Sequence, residues 1–91
     1  MKIIKIGALW CGACLITNKA WNLLKKNYDF ESEELDIDMN EEEVQNYSIG
    51  DVLPVFLFFE GEKEVKRLVG EISYEELEQA VLEVGDYHEE S

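Results

Sequence analysis

Two cysteines three positions apart, Cys11 and Cys14, are the only thiols in a chain of 91 residues. A pair at that spacing can open and close a disulfide, or it can supply half of a tetrahedral metal site. It encloses too short a loop to act as a structural staple. A zinc site would still lack two ligands and would need a second copy or carboxylates to complete it. The one histidine, His88, stands among Asp86, Glu89 and Glu90 and reads as part of a solvated tail. Two-electron thiol–disulfide chemistry is therefore the leading expectation, with no metal site.

The flanking residues say how the pair is held. Lys2 to Leu9 is almost continuously apolar, which suits a central strand covered on both faces. Gly12 and Ala13 then begin a helix, so Cys11 falls at its N-terminus. Unpaired backbone N–H groups and the helix dipole favour a thiolate there, which makes Cys11 the expected nucleophile. Cys14 lies one turn further in, on the same side and more buried, placed to attack a mixed disulfide at Cys11. Trp10 is expected to shield the pair and offer a docking surface.

The remaining elements follow from spacing. Ile16, Ala20, Leu23 and Leu24 predict the buried stripe of the first helix, with Lys25 and Lys26 in its last turn. Phe30 to Ile37 predicts a second, less buried strand. Asp38 or Asn40 is expected to cap a short helix through Glu41–Glu43. Val52 to Phe59, which holds the chain's only proline, Pro54, predicts a third strand, and Lys63 to Val69 returns as a fourth after the turn Glu60-Gly61-Glu62. Ser73 and Glu76 form a capping box before a helix whose buried stripe is Leu77, Ala80, Val81 and Val84. The order is β-α-β-α-β-β-α. It predicts an α/β domain over residues 1–85, with one mixed four-stranded sheet and helices on both faces, followed by a flexible acidic tail over 86–91.

Charge and composition narrow the partners. The net charge is −13, and residues 1–28 hold five lysines and no acid. Residues 29–91 hold all 21 acids against Lys63, Lys66 and Arg67. Such a surface repels phosphate backbones, so no nucleic-acid partner is expected. Lys2 and Lys5 interrupt the N-terminal apolar run without a cleavage site after it, and Val52–Phe59 is far short of the roughly twenty residues a spanning helix needs. A cytoplasmic protein with no membrane partner is expected.

This order, with Trp10-Cys11-Gly12-Ala13-Cys14 after the first strand, Leu53-Pro54 at the third and Gly70 after the hairpin, resembles the thioredoxin family in its smaller, glutaredoxin-sized form. The resemblance runs from Lys2 to Gly85. It implies the thioredoxin-like fold and a disulfide reductase whose only redox group is the Cys11–Cys14 pair. It also implies protein disulfide substrates, a thioredoxin-reductase-type electron donor and a monomer. Pro54 would be cis, bringing its backbone against the sulfurs and leaving Leu53 to pair with an extended substrate.

Three positions depart from the family pattern. Ala13 replaces the usual proline, which implies a less strongly reducing dithiol. Lys5 and Glu34 replace a buried aspartate and its lysine partner with the signs exchanged. Glu34 is expected to accept the proton of Cys14 through water, while Lys5 favours the thiolate. The loop before Pro54 is one residue longer, placing Gly50 and Asp51 near the site. A glutaredoxin is the rival within the class, but Gly70-Glu71-Ile72-Ser73 lacks the Gly-Gly-x-Asp element for glutathione. A non-catalytic binding module on the same fold is the remaining alternative.

Overall fold

The computed structural model describes residues 1–8 and 11–85. Its frame is β1 (Lys2–Gly7), whose apolar residues let it run through the middle of a sheet. β2 (Glu31–Asp36) pairs with β1 in parallel, and β3 (Val55–Glu60) pairs with β1 on the other side, antiparallel. β4 (Lys63–Val69) completes the order β2-β1-β3-β4 through a hairpin turned at Gly61, whose φ of 64° suits a residue without a side chain. Three helices connect and cover the strands: α1 (Gly12–Asn27), α2 (Glu41–Gln45) and α3 (Tyr74–Gly85). This is the expected β-α-β-α-β-β-α sequence and mixed four-stranded sheet.

Strand alternation sorts the core onto two faces. Ile3, Phe56 and Phe58 point to one face, where they meet Trp21 and Leu24 of α1 and Leu77, Ala80 and Val81 of α3. Ile4, Ile6, Leu35, Val55 and Leu57 point to the other, where Val44 of α2 joins them, and both cysteines pack into the same cluster from the start of α1. The first face is aromatic and heavy; the second is aliphatic and covered by a helix of five residues.

Several boundaries and one stripe differ from the sequence reading. The buried side of α1 is Cys14, Thr17, Trp21 and Leu24, while Ile16 is 61% and Leu23 is 44% exposed. Cys14 decides this: once its sulfur is turned inward, positions three, seven and ten later go with it, and Ile16 faces outward. β3 begins at Val55 rather than Val52, because Pro54 has no N–H to give a ladder. β1 ends at Gly7 and β2 spans Glu31–Asp36, each shorter than expected. Phe30 packs half-buried against the aromatic face just outside β2. The β3–β4 register skips Val65, a bulge that turns this valine out to 43% exposure. Val84 is partly buried rather than core. The tail over 86–91, with His88, lies outside the described residues.

The capping box holds as expected: Glu76 N–H donates to Ser73 Oγ at 3.2 Å, and Ser73 N–H donates to Glu76 Oε1 at 3.1 Å. Asn40 is the N-cap residue of α2, but its side chain reaches back instead, accepting from Asp36 N–H at 2.9 Å. That bond ties the end of β2 to the start of α2.

Candidate active site

The chain leaves β1 at Gly7 and enters α1 at Gly12, so Cys11 falls at the N-cap. Its backbone is extended, and its Sγ accepts the N–H of Cys14 at 3.2 Å. A serine or aspartate at this position would satisfy the same orphan donor; here a sulfur does so, an arrangement that suits a sulfur carrying negative charge. On its other side the Cys11 thiol faces the Leu53 carbonyl, 3.9 Å away. Both cysteines are free thiols, 8% and 3% exposed.

Cys14 differs in character. Burial pushes its thiol up from the ordinary range, and its hydrogen bond with Cys11 pushes in the same direction. Cys14 therefore holds its proton more tightly than a free cysteine does. Thr17, one turn on, is fully buried and donates its hydroxyl to the Ala13 carbonyl at 2.8 Å, so this buried polar group is satisfied within the helix.

The Leu53–Pro54 peptide bond is cis. Both residues are buried, and Leu53 packs in the same cluster as Cys11, Cys14 and Ala8. The Pro54 carbonyl accepts the N–H of Gly70 at 2.8 Å, and Gly70 has a φ of 91°. A residue with a side chain is strained in that backbone conformation, which explains glycine after β4.

Residues 1–83 match the Thioredoxin family model. The chain belongs to the thioredoxin family. Its fold superposes on a Fasciola hepatica thioredoxin with a TM-score of 0.78 at 31% identity, over 91% of this chain and 79% of that one. A Nicotiana alata thioredoxin gives a TM-score of 0.84 at 28% identity, over 91% and 71%. A reduced Schistosoma mansoni thioredoxin gives 0.83 at 25% identity, over 91% and 77%. No curated protein matches the sequence.

Against that family pattern the structure brings Cys11, Cys14 and Leu53 into one cluster, with Ala13 packed half-buried against it and the buried Pro54 following Leu53 across the cis bond. Gly12 is exposed, and a β-carbon there would meet nothing within 4 Å. Asp51 is exposed in the loop before Leu53. Trp10 lies outside the described residues.

Lys5 and Glu34 are register partners on β1 and β2, but they do not pair. Glu34 Oε2 instead accepts from Lys25 Nζ at 2.9 Å and Trp21 Nε1 at 3.1 Å. Lys25 beside it holds the Glu34 carboxyl below the usual carboxylate range, which makes it a weaker base than an ordinary glutamate.

Two residues that support the site were not singled out in the sequence. Arg67, the only arginine, pairs through Nε and Nη2 with Glu64 at 2.7 and 2.9 Å. The same guanidinium donates to the carbonyls of Tyr47 and Ser48, clamping the loop that leads to Pro54 onto β4. Gly7 is the second: a β-carbon there would stand 3.0 Å from Cys14 Sγ. A lone arginine on a strand and a glycine ending one are the signals that could have marked them. Among the described residues no group of three or more His, Cys, Asp or Glu is arranged to hold a metal ion, and no helix is long and apolar enough to cross a membrane.

Proposed function

We propose that this protein is a thiol–disulfide oxidoreductase that reduces protein disulfides with the Cys11–Cys14 dithiol. The observation that carries the reading is the asymmetry of the pair. Cys11 Sγ sits at the N-terminus of α1 with the Cys14 N–H aimed at it, and Cys14 is held behind it as a buried, protonated thiol. Cys11 thiolate attacks one sulfur of the substrate, forming a mixed disulfide and releasing the other substrate sulfur as a thiolate. Cys14 then loses its proton and attacks Cys11 Sγ. The Cys11–Cys14 bond forms as the bond from Cys11 to the substrate breaks, and the second substrate sulfur leaves with the electron pair and takes up a proton. Two electrons pass from dithiol to substrate.

The Leu53 carbonyl, beside Cys11, is the backbone group positioned to register an extended substrate. The cycle needs no cofactor beyond the Cys11–Cys14 disulfide itself and closes when a reductase of the thioredoxin-reductase type returns two electrons. A reducing cytoplasm and a monomer suit it. Ala13 in place of proline favours a less strongly reducing pair than the common family motif.

Insulin reduction driven by dithiothreitol tests the reading. Wild type should precipitate insulin chains, and Cys11→Ser and Cys14→Ser should each abolish the acceleration. A Cys14→Ser protein as active as wild type would remove the two-step mechanism. Turnover of a glutathione mixed disulfide faster than insulin reduction would favour a glutaredoxin-type activity instead.

A further inference from the structure

Lys5 is a cation in the middle of β1, between two buried isoleucines and itself only 8% exposed. Among the described residues its side chain enters no hydrogen bond or salt bridge. Its register partner Glu34 is held by Lys25 and Trp21. Its stem is buried in the strand while the ammonium keeps solvent contact, and although its charge acts on Glu34 no carboxylate holds it in a salt bridge, which leaves it open to another charge.

The surroundings identify that charge. Lys5 opens onto a cavity of about 280 Å³ that is also lined by Gly7, Cys14, Asn18, Glu34 and Asp36. A β-carbon built on Gly7 would stand 3.0 Å from Cys14 Sγ and 3.9 Å from Lys5 Nζ. Sulfur and ammonium therefore lie within about 7 Å of one another across a residue with no side chain, close enough for a direct electrostatic effect in a partly buried site. The charged or titratable groups facing Cys14 are Lys5 from β1, Glu34 and Asp36 from β2, and Cys11 on its own helix. The other side chains lining the cavity are uncharged. Lys5 is thus the one cation among them. Cys11 does not line this cavity, and its sulfur faces the Leu53 carbonyl instead.

We propose that Lys5 is a positioning residue for Cys14, holding the negative charge that develops on Cys14 Sγ as it attacks the mixed disulfide, across the gap that Gly7 leaves open. The inference rests on the thiol-exchange reading and assigns Lys5 to its second step alone. The Cys14 proton leaves to water through the cavity. Cys14 Sγ then bonds to Cys11 Sγ while the departing substrate sulfur takes the electron pair and a proton. Glu34 plays no part as proton acceptor.

The two steps separate in a stopped-flow reaction of the reduced protein with 5,5′-dithiobis(2-nitrobenzoate). The first thionitrobenzoate is released as Cys11 attacks, at a rate proportional to reagent. The second is released as Cys14 closes the disulfide, at a rate independent of reagent. Lys5→Met should slow the second phase roughly tenfold near neutral pH, move its pH midpoint upward, and leave the first phase within about twofold of wild type. Lys5→Arg should recover most of the loss, and Glu34→Gln, which removes an anion facing Cys14, should slow neither phase. An unchanged second phase and midpoint in Lys5→Met overturns the proposal. Equal slowing of both phases, or no recovery in Lys5→Arg, overturns it too, by showing a merely structural role. Release of a single equivalent from wild type would instead overturn the dithiol reading beneath it.

Discussion

Replacing Trp21 with phenylalanine tests how α1 is held to the sheet. Trp21 is 1% exposed, tilted against Phe30 and Phe56 with ring centroids 5.9 and 5.4 Å away, and its indole N–H reaches Glu34. Phenylalanine keeps the six-membered ring but leaves a void of about 40 Å³, which at about 24 cal/mol per Å³ costs about 1 kcal/mol. The lost hydrogen bond to a carboxylate adds about 1 kcal/mol, at the low end for such bonds because the Glu34 side chain is 51% exposed. The expected destabilisation is about 2 kcal/mol, a fall in Tm of roughly 8–16 °C for a domain of this size. Glu34→Gln alone should cost about 0.5–1 kcal/mol, since it loses the Lys25 pair but keeps an oxygen for the indole. Urea unfolding of wild type, both single variants and the double variant closes a cycle whose coupling should be about 0.5–1 kcal/mol, with unchanged m-values. A Trp21→Phe cost under about 0.5 kcal/mol, or zero coupling, would refute this account of the anchor.

Other consequences are testable in the same way. The Glu34 and Glu64 carboxyls are both held down, the first by Lys25 and the second by Arg67. Their stabilisation is present above the ordinary glutamate value near about 4.3 and is lost as pH falls through their lower folded values, so unfolding stability should decline below about pH 4.5 and decline less in Glu34→Gln. Arg67→Lys cannot serve Glu64, Tyr47 and Ser48 at once; it should cost about 1–2 kcal/mol in urea unfolding and speed hydrogen exchange in residues 46–53. Ser48 holds a φ of 52°, so Ser48→Gly should be neutral or stabilising by up to about 1 kcal/mol, whereas Gly61→Ala, at a φ of 64°, should cost about 1 kcal/mol.

Much of this was legible in the sequence because it is local. The Ser73–Glu76 box, the Gly61 turn, the lysines closing α1 and the unbroken apolar run of β1 are each decided by neighbours within a few residues. So is the position of Cys11 at a helix N-terminus. The errors lie where tertiary contact decides. Ile16 and Leu23 have helical spacing as good as that of Trp21, and only the inward turn of Cys14 selects between the two stripes. The exchange of signs at Lys5 and Glu34 suggested a pair. Lys25, nine residues before Glu34 in sequence, could claim that carboxylate only once α1 was laid across the sheet. The Arg67 clamp joins residues about twenty apart and leaves no periodic trace.

The unequal weight of the two sheet faces divides labour within a very small protein. Trp21, Phe56, Phe58 and the α3 stripe form one cluster, while the cluster that includes the thiols, at the start of α1, is covered on its outer side by the five residues of α2 and the loop Arg67 secures. Partial openings of lowest free energy should therefore begin on the redox side and stop at the sheet. The sulfurs can be uncovered for a partner without the chain approaching global unfolding, so substitutions that tune exchange on one face leave the reserve of the other untouched. Reactivity and persistence are thereby free to vary independently in a domain with a single sheet.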